Sequence, residues 1–188
     1  MELSESDKKE LLHIARSSIE QAMKGVPVST TEDSTGLLGE LRGVFVTLRL
    51  EHELRGCIGY VEARLPLWEA VQEVAQKSAF EDPRFPPLNE EELKRVEIEI
   101  SVLSPLRKIS SMDEIEIGKH GLVVDAGYTR GLLLPQVATE YGWGREEFLS
   151  HTARKAGLPA DAWKHAGIEL FAFTSDVFSE AEFAPSTH

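Results

Sequence analysis

The sequence predicts an α+β fold in which a mainly antiparallel sheet is flanked by helices. Three observations carry this. Segments of helical and of strand periodicity are interleaved along the chain. The strongest strand pair, Val44 to Leu50 and Leu54 to Val61, is joined too tightly to be anything but a hairpin. Val96 to Leu103 alternates cleanly between apolar and polar residues, as a strand with one buried face does. A doubly wound parallel sheet would need helical crossovers between strands that are apolar on both faces.

The elements follow in order. Ser6 to Lys24 is expected to be an amphipathic helix, because Leu11, Leu12, Ala15, Ile19, Ala22 and Met23 recur at three- and four-residue spacing, and Gly25 and Pro27 end it. Val28 to Gly39, rich in Ser, Thr, Asp and Gly, is expected to be a mobile loop. In the hairpin, Val44, Val46, Leu48 and Leu50 form one apolar face, and Leu54, Ile58 and Tyr60 form another. The two coincide only across a connection of odd length, which predicts the loop Glu51-His52-Glu53. The opposite face then sets Phe45, Thr47 and Arg49 across from Gly59, Cys57 and Arg55, so the sulfur shares a surface with two arginines.

Leu65 to Phe80 reads as a helix with Pro66 in its first turn. The prolines of Glu81 to Leu88 cannot continue it, and Asn89 can start a short helical turn through Leu93. Gly121 to Asp125 and Gly131 to Leu134 suggest a second hairpin, Gln136 to Tyr141 a short helix, and Glu146 to Ala156 a helix ended by Gly157. Ile168 to Phe178 closes the chain as a strand.

At 188 residues the chain can build one good core, or one core with a smaller lobe. It is 41% hydrophobic and 28% charged, the composition of an ordinary globular protein. No apolar run approaches the roughly 20 residues of a membrane span, and the N-terminal segment lacks the features of a signal peptide, so the expected location is the cytoplasm. The net charge of −12 argues against nucleic-acid binding. A single cysteine forms no internal disulfide, thiolate-rich metal site or self-contained iron–sulfur cluster, and the six histidines show no His-x-x-x-His pair. Neither metal nor cofactor is therefore expected.

The most specific local feature is Leu54-Arg55-Gly56-Cys57-Ile58-Gly59-Tyr60. Glycines near the sulfur strip away side-chain cover, and Arg55 and Arg49 offer charge for a thiolate or an anionic substrate. Cys57 is thus the candidate nucleophile, with Thr47, Arg49, Arg55, Gly56 and Gly59 as candidate substrate-binding residues. The motif contains no base; His52, His120, His151 and His165 could supply one only through folding. Competing with this is a plain packing role: a small cysteine in a tight sheet position, glycines permitting close approach or a bulge, and Glu97 and Glu99 pairing with the two arginines across strands. Asp82-Pro83-Arg84-Phe85 could line a cleft or be a proline-rich turn with a surface Arg and a buried Phe. Gly118-Lys119-His120-Gly121 lacks Walker spacing and reads as a turn, and Trp143 and Trp163 read as packing anchors.

Leu54-Arg55-Gly56-Cys57-Ile58-Gly59 resembles the signature of the AMMECR domain family. The resemblance continues through Ala79-Phe80-Glu81-Asp82-Pro83-Arg84-Phe85, Glu97 to Leu103, Gly121-Leu122-Val123-Val124 and Leu132-Leu133-Leu134-Pro135-Gln136. It implies one AMMECR-like domain over residues 1–188, with a larger lobe holding both termini, a smaller lobe, and a cleft near residues 54–60. Prokaryotic members similar to this chain carry the label protein A of the AmmeMemoRadiSam system, which implies a Memo-like or radical-SAM protein as partner. Two functions are consistent with the resemblance: a cysteine-dependent enzyme or small-molecule binder acting at the motif, and a noncatalytic adaptor for such a partner.

Overall fold

The structure, a computed structural model, describes residues 3–27 and 36–184. The described residues form two compact units, one running up to Val102 and resuming at Asp176, the other spanning Leu103–Ser175.

The first unit begins with α1 (Glu5–Met23), whose capping box is closed by Ser4 and Asp7. Strands β1 (Val44–Leu50) and β2 (Glu53–Tyr60) form the hairpin, followed by α2 (Leu67–Phe80) and the single turn α3 (Glu90–Leu93), capped by Asn89. With β3 (Glu97–Leu103) and β8 (Ser175–Ser179) they make a sheet of order β2-β1-β3-β8, in which β2 is an edge. Val44, Val46 and Leu48 of β1 and Ile98 and Ile100 of β3 are fully buried against Leu11, Ala15 and Ile19 of α1 and Val71, Val74 and Ala75 of α2. The clean alternation in β3 thus marks a sheet covered by helices on one face.

The second unit carries β4 (Arg107–Ile109), β5 (Gly121–Asp125), β6 (Arg130–Leu133) and β7 (Glu169–Phe173) in the order β4-β7-β5-β6. Helices α4 (Pro135–Tyr141) and α5 (Arg145–Lys155) complete it, with Phe148 and Leu149 fully buried beside Leu122. The chain then returns through β8 to α6 (Glu180–Phe183) in the first unit, where Arg16 grips Glu180 and donates to the carbonyls of Leu93 and Val96 at 2.8 Å each.

Three expectations need correction. The single strand expected over Ile168 to Phe178 is two strands in different sheets, separated at Thr174, whose N–H and carbonyl are both taken by Ser104. Apolar content continues through the break, so periodicity did not reveal it. The helix expected from Leu65 starts at Leu67, because Pro66 sits at the cap position in extended backbone. Most of the loop expected over Val28 to Gly39 lies outside the described residues, but Gly36–Gly39 is a 3-10 turn that buries Leu37 and Leu38.

Candidate functional site

The turn between β1 and β2 has two residues rather than the expected three, and both adopt left-handed backbone: Glu51 with φ 53° and His52 with φ 70°. This is the turn geometry that twists with a hairpin, here without the Asn-Gly signature that usually announces it. Pairing starts as Leu50 with Glu53 and Arg49 with Leu54, then shifts to Leu48 with Gly56, Thr47 with Cys57 and Phe45 with Gly59. Arg55 is the extra residue of a β-bulge. One turn residue fewer and one bulged residue more leave the parity as expected near Cys57, while the facing of Arg49 and Arg55 does not form. Leu54, expected inside, is instead 38% exposed.

Arg55 leaves the sheet and is 7% exposed. Its Nε and Nη2 donate to the two oxygens of Glu92 at 2.9 and 2.8 Å, and Nη2 also donates to the Pro86 carbonyl at 2.9 Å. Its guanidinium carbon lies 5.7 Å from the centre of the Phe85 ring, and that of Arg84 lies 5.6 Å from the same ring. The Glu92 carboxyl is held below its ordinary range, first by Arg55 and further by the Asn89 N–H. Among the described residues, buried Nη1 has no hydrogen-bond partner. Arg49 stays on the sheet and pairs loosely with Glu99, at 3.3 and 3.5 Å. The cross-strand pairing weighed from the sequence thus exists for Arg49, whereas Arg55 takes a carboxylate from α3. Glu92 carried a readable signal as the third residue after Asn89, the closing position of a capping box, but that pattern does not announce a second role in holding an arginine.

Cys57 projects to the sheet face opposite the helices and is half-buried. The Thr47 hydroxyl, directly across, donates to Sγ at 3.2 Å, and Glu99 faces Thr47 on the next strand. The Cys57 N–H donates to Asp82 Oδ2 at 2.9 Å, and its carbonyl accepts from Arg84 Nη2 at 3.2 Å. Asp82, 4% exposed, also accepts the Nε, Nη2 and backbone N–H of Arg84. These donors, the Arg84 side chain foremost, hold its carboxyl far below the usual range. One carboxylate and one guanidinium therefore close the free edge of β2 at this residue.

The neighbouring glycines are steric necessities. A Cβ on Gly56 would lie 2.2 Å from the Ser78 carbonyl of α2, and one on Gly59 would lie 2.3 Å from the Phe45 ring. Ser78, which periodicity ranks only as an inner helix position, has its own part: its hydroxyl accepts from the Ile58 N–H and donates to the Val46 carbonyl, both at 2.8 Å, bridging the two strands.

No described hydrogen bond joins Cys57 to a histidine. His52 occupies the hairpin turn. His120 accepts the Glu116 N–H, His151 stacks on Trp143 with ring centres 3.7 Å apart, and His165 lies 3.6 Å from Asp161. Lys119 and His120 lie at the end of a turn, as their glycine flanks suggest, and Trp143 and Trp163 pack against the core of the second unit. Among the described residues no group of three or more His, Cys, Asp or Glu side chains could hold a metal ion, and no helix is long and apolar enough to cross a membrane.

The site and sheets define an α+β protein of two antiparallel sheets with a thiol held at the clamped edge of one. The chain belongs to the AMMECR1 family, whose sequence model matches residues 12–178. It is 42% identical over 183 residues to a protein of Aquifex aeolicus, covering 94% of each chain. Protein MJ0810 of Methanocaldococcus jannaschii is 43% identical over 176 residues, 89% of this chain and 87% of that one. Among solved structures, the uncharacterized protein PH0010 from Pyrococcus horikoshii superposes with a TM-score of 0.79 at 41% identity, covering 91% of this chain and 90% of that one.

Proposed function

We propose that the protein binds a small substrate in a cleft around the Arg-Gly-Cys-Ile-Gly motif and acts on it through the Cys57 thiol. The observation that supports this is the mounting of the sulfur: half-buried, touched by a hydroxyl, and carried on a backbone fixed at both its N–H and its carbonyl. A reactive group held this firmly loses little freedom when a substrate arrives. Thr47 orients the sulfur, and Arg49, 39% exposed and loosely paired, can exchange Glu99 for an anionic substrate. Arg55, Gly56 and Gly59 serve as positioning residues: they lock the loop, the helix and the Phe45 ring around the motif.

The test is alkylation of the folded protein by iodoacetamide near neutral pH. Cys57 is expected to react faster than a model thiol, and Thr47→Val is expected to change that rate without changing the fold. A sulfur as inert as a buried one would sink the proposal. A comparison of metabolite profiles between cells carrying the parent and Cys57→Ser then reads the substrate.

Leu54, turned to solvent beside the motif, favours a second reading as a noncatalytic adaptor for a Memo-like or radical-SAM protein. Under that reading Cys57→Ala leaves partner binding intact, Leu54→Ser weakens it, and a pull-down that yields no such partner removes it.

A further inference from the structure

β2 is an edge strand, yet its edge is closed along only part of its length. The Cys57 N–H and carbonyl point away from β1 and are taken by Asp82 and Arg84, while Arg55 binds Pro86 and Glu92 beside them. In an antiparallel pair that orientation repeats every second residue, so Gly59 also turns its N–H and carbonyl outward. No described hydrogen bond reaches them. Beside this bare stretch opens a cleft of about 460 Å³, lined by Tyr60, Val61, Glu62, Arg64, Leu65 and Glu73. The Tyr60 hydroxyl is fixed there by Glu73 at 2.5 Å and Lys77 at 2.6 Å, so the wall is rigid.

We propose that Gly59–Val61 and this cleft form a docking site for an extended peptide segment of a partner protein. The segment adds as a strand beside β2 and lowers one apolar side chain into the cleft. A bare edge offers a donor and an acceptor at strand spacing, which an extended backbone satisfies together, and the adjoining pocket takes an alternate side chain. The Asp82–Arg84 clamp stops the added strand at Cys57, limiting it to about three residues along the edge. Arg64 and Lys77 already pair with the two carboxylates of the cleft, so it is the net charge of −12 over the chain that favours a Lys or Arg next to the apolar residue. This docking is independent of any chemistry at Cys57.

The experiment screens a phage-displayed library of random peptides against the full chain. Enriched sequences are expected to pair an apolar residue with a basic neighbour. As synthetic peptides they should slow hydrogen exchange at the Gly59 amide by about tenfold or more. They should also lose about tenfold in affinity to Val61→Arg. Val61 lies outside the apolar cluster around α1 and α2, and an unchanged melting temperature confirms that this variant folds. No enrichment, unaltered Gly59 exchange, or peptides that depend on Cys57→Ala rather than on Val61→Arg would overturn the proposal.

Discussion

Asp82→Asn isolates the clamp on the Cys57 backbone. The Asp82 side chain is 2% exposed, and its two oxygens accept four hydrogen bonds, at 2.9 Å from Cys57 N–H and at 3.1, 2.9 and 2.7 Å from Arg84. An amide keeps one accepting oxygen and turns an NH₂ towards groups that themselves donate, so at least one part-buried donor, of Cys57 or of Arg84, is orphaned, at about 1–3 kcal/mol. The ion pair adds only about 0.2–1 kcal/mol, because the Arg84 side chain is 53% exposed. Urea unfolding near pH 7 should therefore show a loss of roughly 2–3 kcal/mol. The sign of the pH dependence follows from the lowered pKa of Asp82. A carboxyl whose folded value is depressed contributes stability that is present above its unfolded value, about 3.9, and lost as pH falls below it. Asn does not titrate, so the gap between parent and variant should narrow as pH drops towards about 3. A gap below about 0.5 kcal/mol at neutral pH, or one that is the same at both pH values, would refute the clamp.

Gly56→Ala should cost about 3 kcal/mol in urea unfolding, because its Cβ would lie 2.2 Å from the Ser78 carbonyl, a helix backbone atom that cannot swing aside; a well-tolerated alanine would contradict the contact. Glu92→Ala strands the Arg55 guanidinium, whose side chain is 9% exposed, and should cost about 3 kcal/mol. Replacing both partners, as Arg55→Met with Glu92→Leu, should recover most of that loss in a double-mutant cycle, and purely additive losses would show that the pair is not the cause.

The helices and the inner faces of the first sheet were legible because burial writes a period into the sequence: Leu11, Ala15 and Ile19 in α1, and Ile98 and Ile100 in β3, are fully buried. The pairing of Thr47 with Cys57 was legible by parity alone. Illegible features were those set by one residue's backbone or by tertiary contact. Glu51 and His52 adopt left-handed turn geometry with no sequence signature, and the bulge at Arg55 leaves the apolar pattern after it unchanged. Glu92 and Asp82 are distant in sequence from the groups they hold, in a chain with 32 acidic residues from which to choose.

The bulge is what makes the motif face outward at all. Had the two-residue turn continued into a regular ladder, Leu48 would oppose Arg55 and Val46 would oppose Cys57, driving an arginine and the thiol into the helix-covered face where Leu48 and Val46 are fully buried. Inserting Arg55 as an unpaired residue shifts the register by one, so Gly56 takes the inner position against α2, Ile58 and Tyr60 follow it inward, and Cys57 turns out to meet Thr47. The displaced arginine is then free to leave the edge and bind Pro86 and Glu92, holding the 82–92 segment beside β2, from which Asp82 and Arg84 reach the Cys57 backbone. Arg55, Gly56 and Cys57 are therefore three consequences of one insertion, and a role for the thiol depends on the bulge as much as on the sulfur.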